Sequence, residues 1–287
     1  MTEWMWLVLL YGVLKGIRDI IKKKALEKST VIEVLFFYTL IGFLFVLPET
    51  GQAMKMDFGL LPFVFGKSFI IFIAWLCGYE AIRKMPISLY GVMDLARVLF
   101  ATILGLIVLG ESFSVWQGAG LVLVMAGLIL VNLKKDEKEG SRVSSKYLLF
   151  ALVSCLFNAM SGVADKLLMN HMTDGQLQFW YMLFLLLLYL VYLIRNSIKV
   201  RKINWKALSH NYWIPILSVI FMIGDRALFI ANGIADSRVT VMTLLKQSCV
   251  LVTILGGWVV FREKRIVYRL ICAGIVVAGI VIATIGA

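Results

Sequence analysis

Ten apolar runs, most of them eighteen residues or longer, follow one another along the chain with little except short polar turns between them. At about 1.5 Å per residue, a run of that length crosses a hydrocarbon core about 30 Å thick. Backbone polar groups find no water there, so helices and closed barrels are the stable solutions, and continuous apolarity without alternation selects helices. The runs occupy 4–26, 31–48, 68–85, 87–109, 115–132, 147–169, 177–194, 212–231, 239–260 and 267–286. Turn signals separate most of them: Pro48-Glu49-Thr50-Gly51, Met85-Pro86, Gly110-Glu111-Ser112, Thr173-Asp174-Gly175 and Asp236-Ser237. The first run passes into Lys15-Gly16-Ile17-Arg18-Asp19 without a small-residue cleavage site, so it reads as a retained helix. With 61% hydrophobic and 16% charged residues, the chain is too apolar for an ordinary soluble domain. The expectation is an all-α integral membrane protein with ten transmembrane helices, multi-pass in the cell (inner) membrane.

A second constraint is internal repetition. The stretch 79–132 returns, blurred, at 231–284, a shift of 152 positions. One ungapped register places Glu111 over Glu263, Ser88 over Thr240, Trp116 over Tyr268 and Ala126-Gly127 over Ala278-Gly279. It also places Asp94 over Lys246, so the apolar frame persists while a mid-helix charge reverses. The polar linker 134–146, KKDEKEGSRVSSK, divides five runs from five. The domains are therefore read as a first five-helix repeat (1–133), the linker and a second repeat (147–287). Because five is odd, the second copy enters the membrane in the opposite sense, giving an inverted repeat.

Cys77, Cys155, Cys249 and Cys272 lie inside apolar runs without CxxC spacing, and His171 and His210 are the only histidines, so neither a disulfide framework nor a metal site is expected. No Gly-rich phosphate loop or Ser/His/Asp set appears, so the reading is of a protein that is not an enzyme and needs no cofactor. The formal charge of +12 sits mainly in short loops, which suits anionic lipid headgroups better than nucleic acid. Loops after runs 1, 3, 5, 7 and 9 carry 19 Lys and Arg against three on the opposite side, Lys55, Lys67 and Arg238, which places both termini outside. Residues 49–66 are expected to dip into the interface, with Pro62 arguing against a full span. The loop 196–211 reads either as a solvated loop or as a short interfacial helix.

Charges interrupt the runs. Lys15, Arg18, Asp19, Asp94, Arg97, Asp225, Arg226 and Lys246 lie near their centres, and Asp165 and Lys166 toward the end of run 6. Facing lipid, they would cost roughly 20–30 kcal/mol together. They must pair, face water, or both. Lys15, Arg18, Asp19 and Lys22 share one helical stripe, and Asp94 and Arg97 are one turn apart. Asp94 and Lys246 each lie seven residues into their runs, roughly 10 Å from a boundary, so in an inverted repeat they face each other across the midplane. Gly16-x-x-Asp19 recurs as Gly162-x-x-Asp165. The competing reading neutralises each charge locally: Asp19 by Lys15, Asp94 by Arg97, Asp225 by Arg226. Lys246 has no candidate within one turn, so its partner must be another helix or a substrate.

The six cations against four aspartates leave a surplus of about two positives, which favours a carboxylate or phosphate on the substrate. Lys246, Arg97 and Arg226 are assigned to the anion, and Asp94 or Asp19 to a coupling proton or an ammonium. No aromatic cage is evident at these positions. Tyr79, Asn158, Ser161, Asn232 and Gln247 are secondary pathway candidates that serve equally well as helix–helix hydrogen-bonding groups. Gly118, Gly120, Gly127, Gly274 and Gly279 read as close-packing positions.

The run Tyr79-x-Ala81, Pro86-x-Ser88, Leu109-Gly110-Glu111, Gly118-x-Gly120 and Ala126-Gly127, with Glu263, Ala278 and Gly279 in the second copy, resembles the EamA domain of the drug/metabolite transporter superfamily. The resemblance implies a ten-helix secondary transporter with a central cavity between the halves, working by alternating access. Relatives move amino acids, cationic drugs, nucleotide sugars and phosphorylated metabolites, and a basic residue in the penultimate helix, as at Lys246, looks like the branch handling phosphate-bearing anions. Members usually keep both termini in the cytoplasm, the reverse of the loop-charge count. The expected function is transport of a small anionic or zwitterionic metabolite, proton-coupled or by exchange. The alternatives are a flippase for a phosphate-bearing lipid or polyprenyl-phosphate headgroup, which needs a lateral gap, and a non-transporting scaffold, which needs closed ion pairs.

Overall fold

The computed structural model describes residues 3–108, 114–133, 143–199, 210–234 and 245–285, and all regular structure among them is helical. The principal helices are α1 (Glu3–Lys28), α2 (Val31–Val46), α3 (Leu61–Lys84), α4 (Ile87–Asp94), α5 (Ala96–Val108), α6 (Val115–Leu133), α7 (Ser145–Leu168), α8 (Asp174–Lys199), α9 (Trp213–Gly233), α10 (Ser248–Phe261) and α11 (Ile266–Ile285). Six stretches are long and apolar enough to cross a membrane: Val31–Ala53, Phe58–Lys84, Ile87–Gly105, Ser145–Leu168, Asp174–Ile198 and Ile266–Ala283. Val115–Val131 and Ser248–Phe261 are shorter apolar helices. Residues 134–142 of the linker, most of the loop 196–211, Glu111 and residues 235–244 lie outside the described residues.

Local chemistry sets the helix ends. Thr30 and Glu33 form a capping box at the start of α2, the Glu33 carboxylate accepting from the Thr30 N–H at 2.8 Å. Pro62 does not exclude a span: it lies in the first turn of α3, where its missing N–H would have had no partner, so α3 begins at Leu61 rather than 68. Lys67 consequently belongs to a helix, where its side chain is buried, and not to a loop, which removes one cation from the sparsely charged side. Met85 precedes Pro86, is extended (φ −99°, ψ 154°), and ends α3.

The run 87–109 is not one helix. Leu95 interrupts it, and the N–H of Leu95 and Val98 bond to carbonyls only three residues back, at 3.2 and 3.1 Å. Gln247 interrupts the second copy at the position that the 152-residue register places over Leu95, and there Val250 N–H reaches Gln247 C=O at 3.0 Å. Asp94 and Lys246 are thus the residues immediately before two matching breaks.

Each helix of the first half packs against one of the second: α1 on α9, α2 on α8, α3 on α7, α4 on α10 and α6 on α11. Small residues fix the closest approaches. A Cβ on Gly120 would strike the backbone of Gly279 and Ala283, and one on Gly127 would strike Val276, so α6 and α11 lie antiparallel in near contact. Gly274, by contrast, has open space around it and is not a packing residue. Gly12 and Gly16 abut Ser248, Cys249 and Val252, seating α1 directly on the break in the second half.

Candidate functional site

Three charged groupings emerge. The first is saturated. Glu263 sits in a turn whose neighbours Arg262 and Arg265 have φ of 53° and 59°, left-handed values that L residues adopt at a cost. That turn drives the Glu263 carboxylate onto the N-terminus of α4. It accepts from Ile87 N–H at 2.5 Å, from Ser88 N–H at 3.1 Å and from the Ser88 hydroxyl. Arg269 donates to it at 2.9 Å and also to the Ser88 hydroxyl, while Lys23 lies 3.6 Å away and donates to Met85 C=O at 2.6 Å. A carboxylate at a helix N-terminus meets unbonded N–H groups and the positive end of the dipole. Gly257 leaves room for it, because a Cβ there would lie 2.7 Å from the Glu263 carboxylate. This grouping, absent from the sequence-derived site, joins the repeat marker Glu263 of one half to Ser88 of the other.

The second grouping lies at the two breaks. The Asp94 carboxylate accepts from Lys15 at 2.9 Å and from Arg97 at 2.9 Å. Of the expected local pairs, Asp94–Arg97 stands, but Lys15 belongs to Asp94 and not to Asp19, which pairs instead with Lys22 at 2.7 Å. Both lysines are one turn from Asp19 on the same stripe, and tertiary packing decides between them: Lys15 meets the Asp94 carboxylate of the neighbouring run, which leaves Lys22 to Asp19. Lys246 is half-buried and within electrostatic reach of Lys15, and among the described residues it makes no ion pair. Asp94 and Lys246 therefore do not pair with each other. Lys15, a like charge, lies between the two breaks in electrostatic contact with both.

The third grouping is open. Arg18, one turn from Lys15, has its guanidinium 5.1 Å from the centre of the Phe221 ring. It interacts electrostatically with Asp19, Asp225, Tyr11 and Tyr38, yet forms no ion pair among the described residues, and its buried Nε has no hydrogen-bond partner. Asp225 likewise has no ion pair: Arg226, the expected neutraliser, points away, is 64% exposed and bonds Glu49 at 3.1 Å. Adjacent helix residues diverge by about 100°, so Asp225 and Arg226 cannot share a face. Around Arg18 stand Tyr38, Trp75 and Phe221, mutually packed with ring centres 5.5–6.4 Å apart. Tyr79 is buried with an unpartnered hydroxyl, and Tyr181 interacts with both Asp225 and Arg18. An aromatic wall is thus present where the sequence shows none, because its members come from α2, α3, α8 and α9.

The remaining candidates separate from this centre. Asp165 pairs with Lys67 at 2.7 Å, and the Lys67 ammonium lies 3.7 Å from the centre of the Tyr181 ring. Lys166 is exposed. Ser161 is buried, Asn158 donates back to Ser154 C=O at 2.7 Å within its own helix, and Gln247 forms the second break. The side chain of Asn232 lies outside the described residues.

Comparison with known proteins places this geometry. A solved structure described only as "Crystal structure of protein" superposes with a TM-score of 0.60 over 97% of this chain and 96% of its own, at 14% identity, which speaks to fold alone. A search of curated proteins finds no match. The profile of the EamA-like transporter family matches residues 2–133 and again 145–285. The chain carries two copies of that unit, and it belongs to the EamA-like transporter family of multi-pass membrane proteins.

Proposed function

We propose that this protein is a secondary active transporter that carries a small zwitterionic or anionic metabolite across the cell membrane by alternating access, either coupled to a proton or by exchange. Ten spans form two inverted five-helix repeats around a central site. The antiparallel exchange of helices between halves and the paired breaks at Leu95 and Gln247 support this reading, since interrupted helices that meet at mid-depth offer backbone groups to a substrate.

The observation that carries the substrate class is the separation of Arg18 from Asp225: opposite charges that interact, lack any ion pair among the described residues and share an aromatic wall. A buried charge left unpaired is costly unless something occupies its partner's place. A zwitterion fills both, its anionic group on Arg18 and the Tyr79 hydroxyl, its ammonium on Asp225, its apolar body against Trp75 and Phe221. The anion role passes from Arg97 and Arg226, already occupied by Asp94 and Glu49, to Arg18, with Lys246 as a second cation at mid-depth. Asp94 and Asp19, each with a lysine partner, are the proton-carrying candidates.

Thermal unfolding of purified protein against a panel of metabolites tests this, since a ligand of the native state raises its stability. Zwitterions should stabilise the wild type more than matched anions, and Asp225→Asn should erase that difference. If no anionic or zwitterionic compound shifts the wild type more than it shifts Arg18→Gln, the site assignment is wrong.

The flippase alternative has one observation in its favour. Two lateral cavities, of about 300 Å³ beside Glu80 and Arg83 and about 410 Å³ beside Arg226, open between helices. Translocation of a fluorescent phospholipid in proteoliposomes, without transport of any soluble compound, would decide for it.

A further inference from the structure

The cavity of about 300 Å³ lies among the ends of α2, α3, α7 and α8, on the side of the molecule where the basic loops gather. Its lining has two chemistries. Leu76 and Phe150 are apolar, whereas Glu80, Arg83, Tyr192 and Asn196 bring polar atoms to the same space. Glu80 and Arg83 are one turn apart on α3, about 4.5 Å along its axis, so they share a helix side. That side differs from the one presenting Trp75 and Tyr79 to the centre. Among the described residues neither Glu80 nor Arg83 makes a hydrogen bond or an ion pair through its side chain, although an Arg three residues on is well placed to pair with a Glu.

We propose that this cavity binds an ethanolamine phospholipid of the adjoining leaflet. Three observations carry it. An unpaired carboxylate and an unpaired guanidinium side by side complement a zwitterion, and the two-carbon link between phosphate and ammonium in an ethanolamine headgroup spans a distance comparable to one helical turn. The guanidinium offers a planar donor fork for phosphate, with the Asn196 amide beside it. Leu76, one turn farther from the end of the apolar stretch Phe58–Lys84 than Glu80, and Phe150 supply apolar lining for an acyl chain, while Glu80 and Arg83 lie in the last two turns of that stretch, where a headgroup would sit. Glu80 makes the site selective. An ethanolamine ammonium has three N–H groups to donate to a carboxylate; a choline has none. The lipid site is distinct from the grouping around Arg18 and Asp225 and does not depend on the substrate assigned there.

The test uses full-length protein in detergent, with lipid binding read by native mass spectrometry and by thermal unfolding. Phosphatidylethanolamine should be retained over phosphatidylcholine of the same chains by about tenfold, the size of one charge-assisted hydrogen bond. Glu80→Gln should bring that ratio to about one while phosphatidylcholine retention stays as it was. Arg83→Gln should lower retention of both. Because neither side chain has a protein partner among the described residues, both variants should unfold at the wild-type temperature without lipid. Equal retention of the two lipids by the wild type overturns the proposal, as does a preference that survives Glu80→Gln. Equal stabilisation by chain-free glycerophosphoethanolamine would show that the cavity takes a soluble zwitterion and no lipid.

Discussion

Glu263 and Arg18 are both charged residues in the interior of the same apolar bundle, and they are treated in opposite ways. Glu263 receives the Ile87 and Ser88 N–H groups, the Ser88 hydroxyl, Arg269 and, at longer range, Lys23. Among the described residues Arg18 receives no carboxylate within ion-pairing distance, and its buried Nε has no hydrogen-bond partner. A satisfied buried charge fixes geometry, since nothing remains for another molecule to bond. An unsatisfied one is held in place by the rest of the fold and keeps its bonding capacity for a ligand. The distinction sorts the intramembrane charges of this chain better than their depth or sign does.

Breaking the saturated group should have the largest effect. Glu263→Ala removes the carboxylate that faces the buried Arg269 guanidinium and uncaps α4, so we expect a loss of about 3–5 kcal/mol in unfolding free energy. Chemical denaturation in detergent measures it. Replacing Glu263 and Arg269 together with leucine should recover much of that loss, because a buried cation facing no carboxylate costs more than apolar packing in the same space. A double variant as unstable as Glu263→Ala would mean that the helix cap, and not the ion pair, holds α4 in place.

Arg18→Gln should behave in the opposite way. It removes a charge without an ion pair among the described residues, so the cation–π contact with Phe221 is the main interaction lost and unfolding should change by no more than about 1 kcal/mol. Uptake by proteoliposomes should fall by roughly 10- to 150-fold, the equivalent of 1.5–3 kcal/mol for a bond to a charged group. A variant that loses stability as severely as Glu263→Ala would place Arg18 with the structural charges. Asp225→Asn comes next: about tenfold weaker transport of a zwitterion, with a matched anion lacking the ammonium carried as well as before. Equal losses for both compounds would remove Asp225 from ammonium recognition.

Much of the frame was legible in the sequence. Apolar runs and turn residues are local signals, and the register that superposes Glu111 on Glu263 needs only the repeat. The disagreement between Asp94 and Lys246 falls immediately before the two helix breaks. The breaks themselves were hidden, because Leu95 and Gln247 are neither Pro nor Gly. Partner choice was hidden for a different reason. Lys15–Asp94 and Arg226–Glu49 join residues 79 and 177 positions apart, whereas spacing along one helix suggests only neighbours. The aromatic wall was invisible because Tyr38, Trp75 and Phe221 look like any aromatic in an apolar run, and only the packing of three helices turns them toward Arg18.

Lys246 gives the smallest and most discriminating effect. It lies between the two classes: half-buried, without an ion pair among the described residues, and facing the like charge of Lys15. If it is an anion-binding group, Lys246→Met should weaken transport, but by less than Arg18→Gln, because it stands apart from the aromatic wall and at a lesser depth of burial. If it merely tolerates its position, the substitution should leave transport unchanged and relieve repulsion with Lys15, raising stability by at most about 1 kcal/mol. The first outcome is expected, with a loss below about tenfold and a larger share of it for substrates carrying a second negative charge. Uptake of a monoanion and a dianion measured side by side separates the two, because only a cation that touches the substrate distinguishes them. A variant that handles both as the wild type does would leave Arg18 as the sole cation of the site.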